Sequence, residues 1–307
     1  MPNPTLFSII IPTCNRPDRL AECLASITHL NYPISQFEVI VVDDGSRTPL
    51  KPVTAGFENR LNLTILTQPN AGPAAARNNG AQKAKGRYIA FTDDDCRPAP
   101  DWLRKLHDRF EKSPECMIGG KTVNALPHNL FSQASQKLIS YLYEYYNPDH
   151  NQARFLTSNN IAVPRDLFQA FGGFDPDYPG AAAEDRDFCD RWLFHNHRMV
   201  YDPSVVVYHY HNLTLTKFWK QHFGYGCGAS RFHKARIHRS TGRIRMEPVS
   251  FYIDLLLYPF FHKKGNKPIP VAFLMLVSQI ANAAGFFQES VKQKLKSIIC
   301  GRTKVGK

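Results

Sequence analysis

Three consecutive aspartates, Asp93, Asp94 and Asp95, close the stretch RYIAFTDDDCRP, and a pair, Asp43 and Asp44, closes FEVIVVDD. Like charges this close repel one another and resist burial, so a chain that sets them directly after apolar runs has a use for negative charge. Oxygen-only ligands suit a hard divalent cation, Mg2+ or Mn2+. Asp is also an ordinary turn residue, and one cluster alone carries little. Two clusters at one rim favour a cation- or nucleotide-binding edge. Two more groups could do chemistry. Glu184 and Asp185 follow a small-residue loop in GAAAEDRDF and stand where acids favour a first helical turn, which is by itself a sufficient reason for them. His209 and His211, in VVVYHYH, share one side of a strand and could bind a metal, although an isolated pair is equally well two ordinary strand histidines.

The elements that must position these groups alternate. LFSIII, FEVIVV, LNLTIL and RYIAFT have the composition of strands. RPDRLAECLASI, GPAAARNNGAQKA and PDWLRKLHDRF are helical, the first with Leu20, Leu24 and Ile27 on one face and the last with Pro100 in its opening turn. Strand–helix alternation predicts an α/β fold with a mostly parallel sheet flanked by helices. Ligands of such sheets bind beyond the carboxyl ends of the strands, where all five aspartates would then lie. No G-x-G-x-x-G follows the first strand and no G-x-x-x-x-G-K-[ST] occurs, which disfavours a dinucleotide fold and a P-loop nucleotidase.

The chain has 307 residues and a net charge of +12, with 43% hydrophobic residues, ordinary for a globular core. Seven scattered cysteines with no CxxC pair suit a reducing compartment. The opening MPNPTLFSIIIPT has no basic leader and is expected to be the first strand rather than a signal peptide. The charge is uneven. Residues 212–307 hold 17 Lys and Arg against 3 Asp and Glu, whereas residues 1–211 hold 21 against 23. A nearly neutral globular unit is followed by a basic segment suited to an anionic partner.

Five segments now carry a family resemblance: SIIIPTCNRPDRLAECLASI, FEVIVVDDGS, NAGPAAARNNGAQKAKGRYIAFTDDDCRP, TSNNIAVPRDLFQAFGGFD and AAAEDRDFCDRW. Their order and spacing over about residues 6–215 resemble family 2 glycosyltransferases. The resemblance implies a GT-A fold, a nucleotide-sugar donor (UDP or dTDP favoured, with guanine the alternative base), a divalent metal, and inversion at the anomeric carbon. It places Pro12 and Thr13 near the nucleoside, Asp43 or Asp44 on the base, and Arg77 on the nucleotide. Asp93 would face the ribose or sugar and Asp95 the metal, with Asp94 a lesser candidate. Asn159, Asn160 and the GGFD turn at 172–175 would line the donor sugar and acceptor. Asp185 would be the general base and Glu184 its support. His209, or else His211, would complete the metal shell. The bland alternatives are a solvated helix arginine at Arg77 and hydrogen-bonded loop asparagines at Asn159 and Asn160. Processive members carry Q-x-x-R-W after the acidic pair; FCDRW here has Phe188 in place of the glutamine and keeps only Arg191 and Trp192, so transfer of a single sugar is expected.

The division expected is a catalytic domain over 1–215 and a basic, apolar helical extension over 216–307. FYIDLLLYPFF at 251–261 is too short to span a bilayer, and IPVAFLMLVSQIANAAGFF at 269–287 is just long enough but interrupted by Ser278, Gln279 and Asn282. Helices lying in the interface of an anionic membrane surface, on its cytoplasmic side, are the expectation. A single span and a buried helical pair are the alternatives. The long apolar runs argue against nucleic acid as the partner. A glycan or lipid-linked acceptor follows. A nucleotidyltransferase of similar fold and a non-catalytic nucleotide-sugar-binding protein are the competing functions.

Overall fold

The computed structural model of the chain describes residues 5–178, 180, 182–239, 247–262 and 267–304. The tail residues Arg243, Arg245, Lys263 and Lys264, which contribute to the basic excess, lie outside them. The elements run β1 (Phe7–Thr13), α1 (Pro17–Ile27), β2 (Phe37–Asp44), α2 (Lys51–Thr54), β3 (Leu63–Gln68), α3 (Pro73–Lys83), β4 (Tyr88–Thr92), β5 (Cys96–Pro98), α4 (Trp102–Lys112), β6 (Met117–Asn124), α5 (Leu130–Tyr146), β7 (Asn160–Pro164), α6 (Arg165–Ala170), α7 (Glu184–Phe194), β8 (Met199–His209), α8 (Leu215–Arg239), α9 (Val249–Phe261) and α10 (Pro268–Lys304).

One eight-stranded sheet results, in the order β3-β2-β1-β4-β7-β6-β8-β5. The first four strands pair in parallel, as their alternation with helices requires. Every residue of β1 and β2 is buried, because both faces of a parallel sheet are covered. α1 starts at Pro17 and buries Leu20, Cys23, Leu24 and Ile27, one stripe of a 3.6-residue period. α3 buries mainly small residues; a Cβ on Gly80 would stand 2.7 Å from the Ile10 side chain, so only glycine lets this helix sit so near β1. α4 begins at Trp102, two residues after the expected Pro100.

The second half of the sheet departs from the parallel pattern. β7 enters antiparallel between β4 and β6, and the short β5 pairs antiparallel with β8, setting Cys96 opposite His209. Asn160 holds this half together. Its side-chain amide donates to the Lys121 and Val205 carbonyls and its oxygen accepts from the Trp102 indole, at 1% exposure. The β6–β8 register shifts between Gly120 and Lys121. A Cβ at Gly120 would meet the Val205 carbonyl at 2.1 Å, so the shift and the glycine belong together. Asn160 therefore belongs to the core and not to a sugar pocket: every polar atom of its amide is engaged there.

The chain forms two compact units. The first comprises residues 1–126, 142–176 and 188–211 and contains the whole sheet; the second comprises 127–141, 177–187 and 212–307. Segments 127–141 and 177–187, which a single cut at residue 215 would leave with the sheet, group with the C-terminal helices. In the second unit α8 and α10 approach through glycines. A Cβ on Gly226 would meet the Asn282 carbonyl at 1.9 Å, and one on Gly285 the Phe223 carbonyl at 2.0 Å. Ser230 and Ser290 hydrogen-bond at 2.8 Å, and Arg231 pairs with Glu289 at 3.0 Å.

Asn160→Ala is expected to leave the Trp102 N–H without a partner, at roughly 1–3 kcal/mol for an orphaned buried group, and to remove one donor each from the Lys121 and Val205 carbonyls. Urea unfolding of the variant should show this as a lowered midpoint.

Candidate functional site

The site lies in the first unit, where β1, β2 and β4 end together. Registers Thr13↔Asp43 and Asp43↔Thr67 put the strand ends level, and Asp93–Asp95 follow β4 directly. Pro12 is buried within β1 opposite Val42, and Thr13 donates its hydroxyl to Asp94 at 2.7 Å.

The two aspartates ending β2 have separate tasks. Asp44 accepts from the Gln68 and Asn70 amides and from the backbone N–H groups of Ala71 and Gly72, at 2.8–3.2 Å. Both its oxygens are thereby committed to holding the NAGP loop that opens α3. Gly72 has φ +89°, a conformation glycine adopts without strain. Asp43 uses one oxygen, accepting from the Ser46 N–H at 2.9 Å across a tight turn. Of the pair, Asp43 is the one with an oxygen outside the loop-holding network.

The triple aspartate is divided three ways. Asp93 meets Arg77 at 2.7 Å. Arg77 is no solvated helix arginine: it is 2% exposed, and its guanidinium lies 5.7 Å from the Phe174 ring centroid. Phe174 belongs to the GGFD turn. Asn78 fastens that turn to α3 by accepting from the Phe174 N–H and donating to its carbonyl. Gly172 and Gly173 adopt positive φ there. Arg191 donates to the Phe171 and Gly173 carbonyls, and Trp192 is fully buried. The surviving Arg–Trp pair therefore supports the turn and the core.

Asp94 is wholly buried. One oxygen takes the Thr13 hydroxyl and Arg16 Nε at 3.2 Å; the other, Oδ1, is buried with no hydrogen-bond partner. Burial pushes its carboxyl up to about 7, aided by Asp95 and Asp93 and opposed by Arg16 and Thr13. Asp95 contacts Arg16 at 3.1 Å and His209 Nε2 at 3.3 Å. Burial alone would raise its carboxyl, but the His209 hydrogen bond and the charges of His209, Arg16 and His211 outweigh it and hold the group well below the usual carboxylate range. His209 and His211 stack at 4.7 Å.

Asp95, Cys96 and His209 present potential ligand atoms within 4.8 Å of one another. Burial, with the neighbouring carboxylates, pushes the Cys96 thiol far up, which keeps it protonated and unsuited to ligation. Of the three, the Asp95 carboxylate and the His209 imidazole fit a divalent cation; Asp94 Oδ1, buried without a hydrogen-bond partner, is on the preceding residue and is not part of that group. Asn159 is half-buried and accepts from Thr157 and Thr122. Sequence reasoning passed over Arg16. The signal was its place in CNRPD, on the turn after β1, beside a rim whose carboxylates need a counter-charge.

Glu184 and Asp185 belong to the second unit and open α7, as their placement implied. Glu184 is 2% exposed, and Asp185 accepts from the Arg186 N–H at 2.7 Å. Ala183, just before them, has φ +68°. α8 braces this segment: Arg239 pairs with Asp187 at 2.6 Å, and the Arg186 guanidinium lies 4.7 Å from the Phe232 ring centroid.

Because the folded-state pKa of Asp94 is raised, the native protein holds a proton that the unfolded chain has released, and stability falls as pH rises between about 4 and 7. Asp94→Asn removes this dependence. In metal-free buffer, parent and variant should melt alike below about pH 4, and the variant should be the more stable at pH 8. Thermal melts across pH in chelator measure both ends.

Residues 8–172 match the family model described as glycosyl transferase family 2. Glycosyltransferase AglE of Haloferax volcanii is 29% identical over 169 residues, 54% of this chain and 55% of that protein. Poly(ribitol-phosphate) beta-N-acetylglucosaminyltransferase TarS of Staphylococcus aureus is 27% identical over 174 residues, 53% of this chain and 30% of that one. The chain thus spans about half or less of these relatives' lengths. Among solved structures, mannosyltransferase PcManGT from Pyrobaculum calidifontis, in complex with GDP-Man and Mn2+, superposes with a TM-score of 0.62 at 19% identity, covering 95% of this chain and 83% of that one. S. aureus TarS 1–349 in complex with UDP gives 0.55 at 17% identity, covering 95% and 92%. These likenesses establish the GT-A fold.

Proposed function

The chain belongs to glycosyl transferase family 2, and on that footing we propose that it moves one sugar from a nucleotide-diphosphate sugar to a hydroxyl of a glycan or lipid-linked acceptor, with inversion. The observation that carries this reading is the carboxylate rim, with Arg77 buried on Asp93, His209 beside Asp95, and an Asp94 oxygen left without a partner. The similar solved structures hold GDP-Man in one case and UDP in the other, which supports a nucleotide-sugar donor. We favour UDP or dTDP: Asp43 accepts a hydrogen bond from a pyrimidine ring N–H, with Pro12 and Thr13 beside the nucleoside. Arg77 offers its positive charge to the nucleotide, and Asp93, held by Arg77, faces the ribose or sugar.

Asp95 and His209 would hold Mg2+ or Mn2+, with Asp94 and His211 nearest to assist. The bound cation supplies charge neutralisation for the departing diphosphate. The rest of the chemistry belongs to the protein's own groups. Asp185 takes the proton from the acceptor hydroxyl as its oxygen attacks C1 from the face opposite the diphosphate, and Glu184 supports the acceptor. Asp185 lies in the first turn of α7, where the helix dipole favours a carboxylate, and its placement against the acceptor hydroxyl carries the effect. One displacement with no covalent intermediate inverts the anomeric centre. Phe188, standing where processive enzymes have glutamine, is fully buried among Phe168, Phe174 and Trp192, in keeping with a single transfer. We place the enzyme at the cytoplasmic face of a membrane. α10 is long and apolar enough to cross one, by length and composition.

Asp95→Ala should abolish Mn2+-dependent binding of UDP, read by calorimetry, and excess chelator should silence the parent enzyme. Full activity in chelator would refute the metal assignment. Asp185→Asn should lower turnover on the order of 10²–10⁴-fold with donor affinity little changed, as expected of a general base, and Glu184→Gln should cost less. Steady-state kinetics with separate donor titrations decide this: near-normal turnover in Asp185→Asn beside a dead Glu184→Gln would exchange the two roles.

A further inference from the structure

In the second unit, one side of α10 is buried: Val271, Leu274 and Met275 in its first turns, and from there on Ser278, Ala281, Gly285 and Glu289. The opposite side carries Ile269, Phe273, Leu276, Ile280, Phe287, Val291 and Leu295, each at least 43% exposed. These positions recur every three or four residues, apart from one gap at 280–287 bridged by the exposed Ala283 and Ala284, so they form one stripe. A water-soluble helix buries its large apolar side chains and leaves the polar and small ones outside. Close helix contact through small residues, with large apolar ones outward, is instead the packing of proteins in lipid. α9 adds Tyr252, Ile253, Leu257, Phe260 and Phe261, all exposed.

Charge points to the same occupant. Lys267 precedes the stripe and Lys292 and Lys294 flank its far end, all exposed, where lysines reach anionic headgroups while their stems stay on apolar surface. α8 also decides the orientation. Its contacts with α10 advance together, Gly226 by Asn282, Cys227 by Gly285 and Arg231 by Glu289, so the two helices run in the same direction. The first turns of α8, with Lys217 and Lys220 exposed, therefore lie beside the first half of the apolar stripe of α10. A transmembrane α10 would carry these ammonium groups into the bilayer, at a cost. An in-plane α10 leaves them at the surface.

We propose that the outer faces of α9 and α10 are a docking surface for an anionic lipid bilayer, lying in the plane of its interface and not crossing it. This rests on the membrane-associated reading above and names the surface. It also bears on the acceptor. The side of α8 that holds Asp187 through Arg239, and Ala182 against Gly228, braces the Glu184–Asp185 turn, while its Gly226, Cys227 and Ser230 hold α10. Docking α10 thus sets the acidic turn at a fixed distance from lipid, suited to an acceptor hydroxyl carried by a membrane lipid.

The full-length protein is mixed with vesicles of phosphatidylcholine alone or with phosphatidylglycerol, and flotation is measured. Binding should require the anionic lipid for full strength and weaken with salt. Phe273→Asp combined with Phe287→Asp should reduce it by more than about tenfold, since both side chains are exposed and their apolar burial drives the binding. The double variant must keep the parent's circular dichroism and its thermal shift with UDP and Mn2+, which shows that the loss is not unfolding. Orientation is read from Phe273→Trp, Ile280→Trp and Phe287→Trp in a Trp219→Phe background, quenched by lipids with a nitroxide at shallow or deep acyl positions. Equal, shallow quenching at all three supports the in-plane surface. Deepest quenching at Ile280→Trp would mean a span and overturn it. So would undiminished flotation of the double variant, or a lipid-free dimer that this variant dissociates and that ignores vesicles. Docking without any UDP–Mn2+ response would instead sink the glycosyltransferase reading and leave the surface intact.

Discussion

Three carboxylates at the end of one buried strand cannot stand without counter-charges, and much of the first unit is arranged around that repulsion. Arg77 is drawn into the core to meet Asp93. Arg16 spans Asp94 and Asp95 from the turn after β1. His209 arrives at Asp95 because β5, immediately after the aspartates, pairs with the end of β8. Two arginines and one histidine thus answer the three aspartates, with Arg16 shared, and Asp94, the most buried of the three, is the one whose carboxyl burial lifts to about 7. A site balanced this way holds its carboxylates in place before any ligand arrives, so little reorganisation is left to be done on binding.

The same logic separates residues that support the site from residues that face it. Asp44, Asn78, Asn160 and Arg191 are polar, lie in the recognised motifs, and spend their hydrogen-bonding groups on the protein itself. Asp44 ties the NAGP loop, Asn78 and Arg191 tie the GGFD turn, and Asn160 ties β7 to its neighbours. Buried polar groups left unpaired cost free energy, so these side chains are occupied as a condition of folding. The candidate ligand groups are a different set: Asp43, which spends one oxygen on the Ser46 turn, Asp94 Oδ1, which has no hydrogen-bond partner, and the charged contacts Arg77–Asp93 and His209–Asp95.

The second unit is packed on a different pattern. Glycines 226, 228 and 285 bring backbones close, and serines and an Arg–Glu pair fill the contact between α8 and α10, while phenylalanines and isoleucines stay outside. In water alone this would expose an apolar stripe of about 39 Å, the rise of the 26 steps from Ile269 to Leu295. Contiguous exposed apolar surface of that extent marks an interaction site.

Much of this was legible in the chain. Strand–helix alternation places the first four strands and α1, α3 and α4, the apolar stripe of α1 repeating as a buried face must, and the acidic first turn places the start of α7. The motifs locate the acidic rim, and the charge count separates a neutral unit from a basic one. Local pattern could not show what depends on partners far away in sequence. Asp43 and Asp44 are indistinguishable until the NAGP loop closes on one of them. Asn160 resembles a ligand-binding residue until Trp102, 58 positions earlier, donates to it. Arg16 is an ordinary helix-start arginine until β4 brings Asp94 and Asp95 to it. The antiparallel entry of β7 and the outward apolar stripe of α10 are likewise decided only when distant elements meet, since a sequence states which groups need satisfying and the tertiary structure chooses which partner satisfies each.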